Sequence, residues 1–434
     1  MKAAKKAVVR FMMAAVLLTG LSDTASAAGV PAADKSLAIT VGEKKTIKVE
    51  GSNIKSKVFK STNSKIATVS KKGVVTAKNV GSCKVKITVK YLKNKASKKV
   101  TKKVLTTEVT VQKPSGKNKD DVAELKKLIK EQQALGTKLS TDWEDWRYDW
   151  ENGRLIGIDW TDCGLKGEIS FSGFPNLRYL TCNQNQLTGI DVSGCKKLSS
   201  FSCTSNQLKK LDVGKCTMLT DFGCDDNQLK KIDISKCTEL EEFSGSRNAM
   251  KSIDISKCKK LKKLYCEENQ LEGIDVSKNT ALEYLVVSGN LLTEIDISKN
   301  KNLLGLFFAN NQLTDIDVST CPELVSLSCE KNKLTKIDVS KCPKLEDIHC
   351  PYNPLSELDL SGHSKLHRIV CMGSHLTKLN ISGCTELWEI WCNENQLTSL
   401  DVSECTALSY LTCDKTVELI GVPNGCQVNT DYKE

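Results

Sequence analysis

Leu177-Arg-Tyr-Leu-Thr-Cys-Asn-Gln-Asn-Gln-Leu-Thr-Gly-Ile-Asp-Val-Ser-Gly-Cys-Lys-Lys197 is one unit of 21 residues, and the next begins at Leu198. The leading leucine returns at the same interval at Leu219, Leu240, Leu261, Leu282, Leu303, Leu324, Leu345, Leu366, Leu387 and Leu408. Asparagine stands eight residues after it from Asn185 to Asn395, with Ser374 the exception. A fixed period of this length means stacked units. Leu180 and Cys182 alternate with polar neighbours, so they point inward from a short strand. One unit cannot bury its apolar face alone, whereas a dozen in series share one core. The expected product is a solenoid with a parallel sheet along its concave side. So short a unit leaves little room for helices on the convex side, where extended or 3₁₀ segments are expected. The asparagine should turn the chain inward and bond backbone groups that the bend leaves unpaired. Each Asp of the Ile-Asp-Val/Ile-Ser stretch, from Asp191 to Asp401, reads as a periodic structural residue.

Twenty cysteines in an exported chain would ordinarily announce disulfides. Seventeen of them fall into two columns of the repeat. One runs Cys182, Cys203, Cys224, Cys266, Cys329, Cys350, Cys371, Cys392, Cys413; the other runs Cys195, Cys216, Cys237, Cys258, Cys321, Cys342, Cys384, Cys405. Gly245, Val287 and Phe308 interrupt the first. Neighbouring in-register strands hold side chains slightly too far apart for a relaxed bridge, and a single file does not converge on a metal. The columns read as free thiols packed as small hydrophobes. Cys413 and Cys426 are the one pair for which a disulfide stays an open alternative.

The pattern is the leucine-rich-repeat signature. Its cysteine ladder resembles the internalin group of bacterial surface proteins, and the units at Asn185–Ser193 and Asn311–Ser319 are similar to those of many exported repeat proteins of gut bacteria. The resemblance covers 155–413. It implies adhesion or ligand capture on the concave face, and it carries over no individual binding residue.

Ahead of the repeats, Lys2, Lys5, Lys6 and Arg10 precede an apolar run from Phe11 to Leu21 and a small-residue site at Ala25-Ser26-Ala27. This is a secretory signal peptide over 1–27. No later stretch approaches membrane length, and no wall-sorting motif stands in Asn429–Glu434. The mature chain is therefore expected to be secreted, in solution or held non-covalently at the cell surface. Charge is split along it: residues 29–119 hold 23 Lys, no Arg and 4 acids, a balance of +19, while 120–434 carries −11.

Residues 29–113 read as a β-sandwich of short alternating runs, Ile39-Thr-Val41, Thr46-Ile-Lys-Val49, Lys84–Val89 and Glu108–Val111. The stretches Ser61–Val69 and Gly73–Ala77 resemble the bacterial immunoglobulin-like domain of group 2, with Phe59 where such domains often carry Trp and Cys83 unpartnered. Residues 114–119 read as a linker. A helix is expected from Asp120 and Asp121, with Val122, Leu125, Leu128 and Ile129 as its apolar stripe. With Trp143, Trp146 and Trp150 it forms a cap over 120–154 that covers the open end of the solenoid (155–413); sugar stacking is the alternative reading of the tryptophans. Val417 to Val428 is expected to be an irregular second cap, within 414–434.

Strand alternation names the outward concave residues. Tyr265, Tyr284 and Phe307 are the first candidates for ligand contact, and His349, Arg368, Trp391 and Tyr410 the second, because apolar groups standing proud of a sheet mark interaction sites. The acids Asp221, Asp225, Asp226, Glu241, Glu242, Glu267 and Glu268 read as a solvated face rather than a calcium site. The four histidines, His349, His363, His367 and His375, occupy different faces. No catalytic residue, metal site or cofactor is expected. The expectation is a mostly β binding protein that takes a protein or glycan on the concave face, with the lysine-rich domain meeting an anionic cell-wall polymer. The alternative is a structural envelope element in which that basic domain binds the polymer. Nucleic acid is disfavoured by export and by the scarcity of aromatics among the lysines.

Overall fold

The structure, a computed structural model, describes residues 30–430 apart from 94, 95, 98 and 113–115. The segment read as a signal peptide, 1–27, and the tail beyond 430 lie outside the described residues. Contacts divide the chain into two compact units that part at Ser115 and Gly116. It is mostly β, with Lys119–Ala134 the one helix among the described residues.

In the first unit, Gly81–Leu92 pairs antiparallel with Val100–Gln112 along its whole length. Ile54–Ser61 adds antiparallel on one side and Ser36–Thr40 parallel on the other. A second sheet orders Lys44–Thr46, Val74–Ala77 and Ala67–Val69. Between the sheets lie Ile39, Val75, Val85, Ile87, Val89 and Val109, each an alternate residue of its strand as half-buried strands require, and Ile47 just past the end of Lys44–Thr46. Phe59 packs against this core from Ile54–Ser61 and lies over Gly73, where a Cβ would stand 2.8 Å from its ring.

The second unit is a leucine-rich-repeat solenoid. Its concave sheet has fifteen strands, all pairs parallel except the first, where Tyr148–Glu151 meets Arg154–Asp159 antiparallel. Each repeat contributes three residues to it, as in Tyr179–Thr181 beside Ser200–Ser202. The aliphatic positions and seventeen repeat cysteines are buried in one continuous core. The convex segments are extended or turn; none of the described residues there is 3₁₀.

The asparagine column performs the closure that its position predicts. Nδ2 of Asn206 donates to the carbonyls of Cys203 (3.0 Å) and Thr204 (3.3 Å) in its own turn and of Cys182 (3.0 Å) in the turn before, and Oδ1 accepts from Leu187 N (3.0 Å). One amide thus ties two turns together and satisfies backbone groups that would otherwise be buried unpaired. The residue before it is left-handed in every turn, from Gln184 (φ 56°) to Glu394 (φ 60°). The convex aspartates close Asx turns, as Asp191 Oδ1 accepts from Ser193 N at 2.9 Å.

The two cysteine columns differ in what replaces them. The first also takes Val287 and Phe308, so a donor is optional there, although Cys392 Sγ donates to Thr412 O at 3.2 Å. In the second, Cys195 Sγ donates to Phe171 O at 3.1 Å, one turn back. Where cysteine is absent, Asn279 Nδ2 reaches Ile255 O at 3.1 Å and His363 Nε2 lies 3.1 Å from Val339 O. That column therefore calls for a hydrogen-bond donor, which the reading of the thiols as plain hydrophobes missed. All twenty cysteines are free, Cys413 and Cys426 included. Burial pushes the Cys195 and Cys216 thiols up to about 12.

Both ends depart from expectation. Asn118, read as linker, caps the helix by accepting from Asp120 N and Asp121 N. Asp121, read as a helix-start charge, is buried; its carboxylate takes Arg154 at 2.8 and 2.6 Å and Leu155 N at 2.9 Å, fastening the helix to the first parallel strand. Trp143 and Trp150 pack on the core, but Trp146 is 70% exposed beside the Arg147 guanidinium and covers nothing. At the other end the chain is regular: Glu418–Ile420 pairs with Ser399–Asp401 and Gln427–Asn429 with Tyr410–Thr412. The unpaired edge of the last repeat offers a template that this final turn completes.

Candidate ligand-binding face

Three-residue strands leave two outward columns on the concave sheet. One carries Tyr265, Val286, Phe307, Ser328, His349, Val370 and Trp391 in register. The other carries Lys263, Tyr284, Gly305, Ser326, Asp347, Arg368, Glu389 and Tyr410. All seven candidate residues therefore share one face, each half-buried by its neighbours.

They form two groups. Tyr265, Tyr284 and Phe307 cover three successive turns, with buried Val286 between them. Gly305 makes this possible. A Cβ there would meet Phe307 Cε2 at 2.6 Å and Tyr284 Cδ1 at 2.8 Å, so both rings lie over bare backbone. In the second group, Arg368 Nε stands 2.7 Å from Glu389 Oε2, Trp391 Nε1 donates to Glu389 Oε1 at 2.6 Å, and the Trp391 and Tyr410 rings are 5.6 Å apart. Glu389 is nearly enclosed, and its pairing with a guanidinium compensates its removal from water.

Between the groups the sheet surface drops. Ser326 and Ser328 present small side chains in one turn, leaving a hollow of about 340 Å³ walled by Phe307 on one side and by Asp347, His349 and Arg368 on the other. Burial and the neighbouring Arg368 hold the His349 imidazole below its ordinary range, so the ring is neutral at pH 7. A flat aromatic wall beside hydroxyls, a carboxylate and a neutral imidazole suits an inserted side chain or sugar ring. The structure brings Phe307, His349 and Arg368 to this hollow; Tyr265, Tyr284, Trp391 and Tyr410 lie outside its lining. Sequence reasoning passed over Ser326, Asp347 and Gly305. The available signal was a turn with serine in both outward columns between aromatic and charged neighbours.

The remaining candidates scatter. His363 is buried, and His367 Nε2 lies 3.4 Å from Glu386. The acids of the earlier turns pair across one repeat: Asp226 with Arg247 at 2.5 Å, Glu241 with Lys262 at 2.7 Å and Glu242 with Lys263 at 3.0 Å. Among the described residues, no three His, Cys, Asp or Glu side chains are grouped as a metal ion would need. None of the described helices is long and apolar enough to cross a membrane.

Residues 30–100 match the bacterial Ig-like domain (group 2) family. Among solved structures, the chain is similar to the functional domain of InlJ from Listeria monocytogenes, which includes a cysteine ladder. Identity is 30% and the TM-score 0.50, over 58% of this chain and 61% of that one. The chain thus spans about three-fifths of that domain's length. The internalin InlF from Listeria monocytogenes str. 4b F2365 is similar at 20% identity and a TM-score of 0.52, over 65% of this chain and 87% of that one, a likeness of fold alone. None of the curated proteins matches the chain. The first unit is thus an Ig-like domain, and internalins are among the structural neighbours of the chain.

Proposed function

We propose that this is an exported surface protein that captures a protein or glycan on the concave face without catalysing any reaction. The observation that carries the reading is the aromatic surface of Tyr265, Tyr284 and Phe307 running into the hollow at Ser326 and Ser328. The inward side of the same strands already fills the core, so the outward aromatics are not needed to complete it. Apolar groups placed around a depression contribute binding once a partner excludes water from them. Export rests on the charged, apolar and small-residue segments of 1–27, and retention at the cell surface on the +19 balance of residues 29–119.

The test is an array of proteins and glycans probed with the mature chain and with Phe307→Ala/Tyr284→Ala. Those rings lie on the surface, so the variant keeps its melting temperature within a few degrees. A ligand held by the native chain and lost at least tenfold by the variant supports the reading. Ligands retained equally by both, or turnover of any of them, would overturn it.

A further inference from the structure

The exposed face of the larger sheet in the Ig-like domain is charged in an unusual way. Register places Lys60 directly opposite Lys86, and Lys90 directly opposite Lys102. All four are exposed, and none has an ion-pair partner among the described residues. Like charges opposite one another weaken a sheet, and here two such pairs stand roughly 13 Å apart, from the rise per strand residue. Between them runs a row of Val58, Thr88 and Val104, in which Val58 is 61% and Val104 56% exposed. The one acid on this face, Glu108, is taken by Lys84 at 3.4 Å.

We propose that this face docks a polyol-phosphate polymer, its phosphates held by the Lys60/Lys86 and Lys90/Lys102 pairs and its carbon chain crossing the Val–Thr–Val row between them. Charge complementarity identifies the occupant as a polyanion, since successive anions relieve both repelling pairs. The residue type is compatible with phosphate: the domain has no arginine, and lysine binds a tetrahedral phosphate as a point charge without the planar fork. The absence of aromatics on the face argues against a strand of bases, because nucleic acid gains much of its binding from stacking; Tyr91 is buried and Phe59 turns inward. The site is separate from the concave face and does not depend on the ligand proposed there.

The experiment measures binding of the mature chain to poly(glycerol phosphate) across a range of salt. It compares K60Q/K86Q/K90Q/K102Q with K44Q/K71Q/K72Q/K78Q, which removes equal charge from the opposite sheet and its turns. The first variant should bind at least tenfold more weakly, with a log–log salt slope shallower by about 2–3, as for lost phosphate contacts; the second should stay within about threefold of native. The melting temperature of the first variant should not fall, because repelling pairs have been removed. If the fourfold variant fails to fold, K60Q/K102Q carries the same comparison. Equal losses in the two variants would show diffuse attraction and overturn the proposal. So would tighter binding of single-stranded DNA or polyglutamate of matched charge.

Discussion

The Ig-like domain and the solenoid solve the problem of buried backbone in opposite ways. In the sandwich, Gly81–Leu92 and Val100–Gln112 satisfy each other along their full length, and the core between the sheets is mainly hydrocarbon, with Cys83 and the buried Thr107, whose Oγ1 donates to Asp34 O at 2.6 Å, beside it. In the solenoid no concave strand after Thr181 exceeds three residues, and each turn bends through a left-handed residue that throws carbonyls inward. Its interior must therefore hold donors, and it holds two files of them: the asparagines, and the cysteines from Cys195 to Cys405 with Asn279, Asn300 and His363 among them. Long paired strands need few internal polar groups; short stacked ones depend on them.

That contrast can be broken most severely at the sandwich core. Ile87→Ala should cost about 2–5 kcal/mol, lowering the sandwich transition in urea while the solenoid transition stays in place; movement of both would show that the units unfold together. In the solenoid the equivalent change is polar. Asn290→Ala leaves Cys266 O and Leu271 N without the partners they have at 2.9 Å and should cost about 2–3 kcal/mol, whereas an apolar position of similar burial would register only its volume. Circular dichroism across a urea gradient reads both.

Acid should separate the units next. Hydrogen bonds from Ser193 and Ser170 hold Asp191 down to about 2, and serines do the same in direction for Asp233, Asp254, Asp275 and Asp296. These folded values lie below the unfolded ones, so their stabilisation is present above about pH 4 and is lost as pH falls toward 2. The sandwich region has only four acids, so the solenoid should melt first on acidification. A sandwich that melted first would place the controlling carboxylates elsewhere. The smallest effect is a gain. At Ser374 the asparagine file is broken, and Leu355 N turns to Asn353 O at 2.8 Å. Ser374→Asn should restore the missing acceptor and raise stability by up to about 1 kcal/mol, seen as a small rise in melting temperature.

Several features were legible because the period fixes them. Leu180 and Cys182 had to face inward, Asn185 had to serve the bend, and Asp191 had to be structural. The outward columns could be named for the same reason, and Phe307, His349 and Arg368 do line the hollow. Illegible were the residues that act through absence or distance. Gly305 matters because two rings lie over it, Ser326 because it leaves space, and Asp121 because Arg154, thirty-three residues on, folds back to it. The donor role of the second cysteine file was also hidden, since a thiol looks like a small hydrophobe until Asn279 and His363 are seen making the same contact.

The spacing of leucines, asparagines and cysteines was sufficient to determine a coiled stack of turns and its inner and outer faces, because a lattice repeats whatever one turn requires, and the alternating runs ahead of it were sufficient for the basic sandwich. Which outward side chains meet, where the surface drops into a hollow, and which lysines stand opposed on neighbouring strands of one sheet were decided only by the tertiary structure. Those contacts run across strands, between residues whose separation in the chain carries no signal, and register alone brings them together.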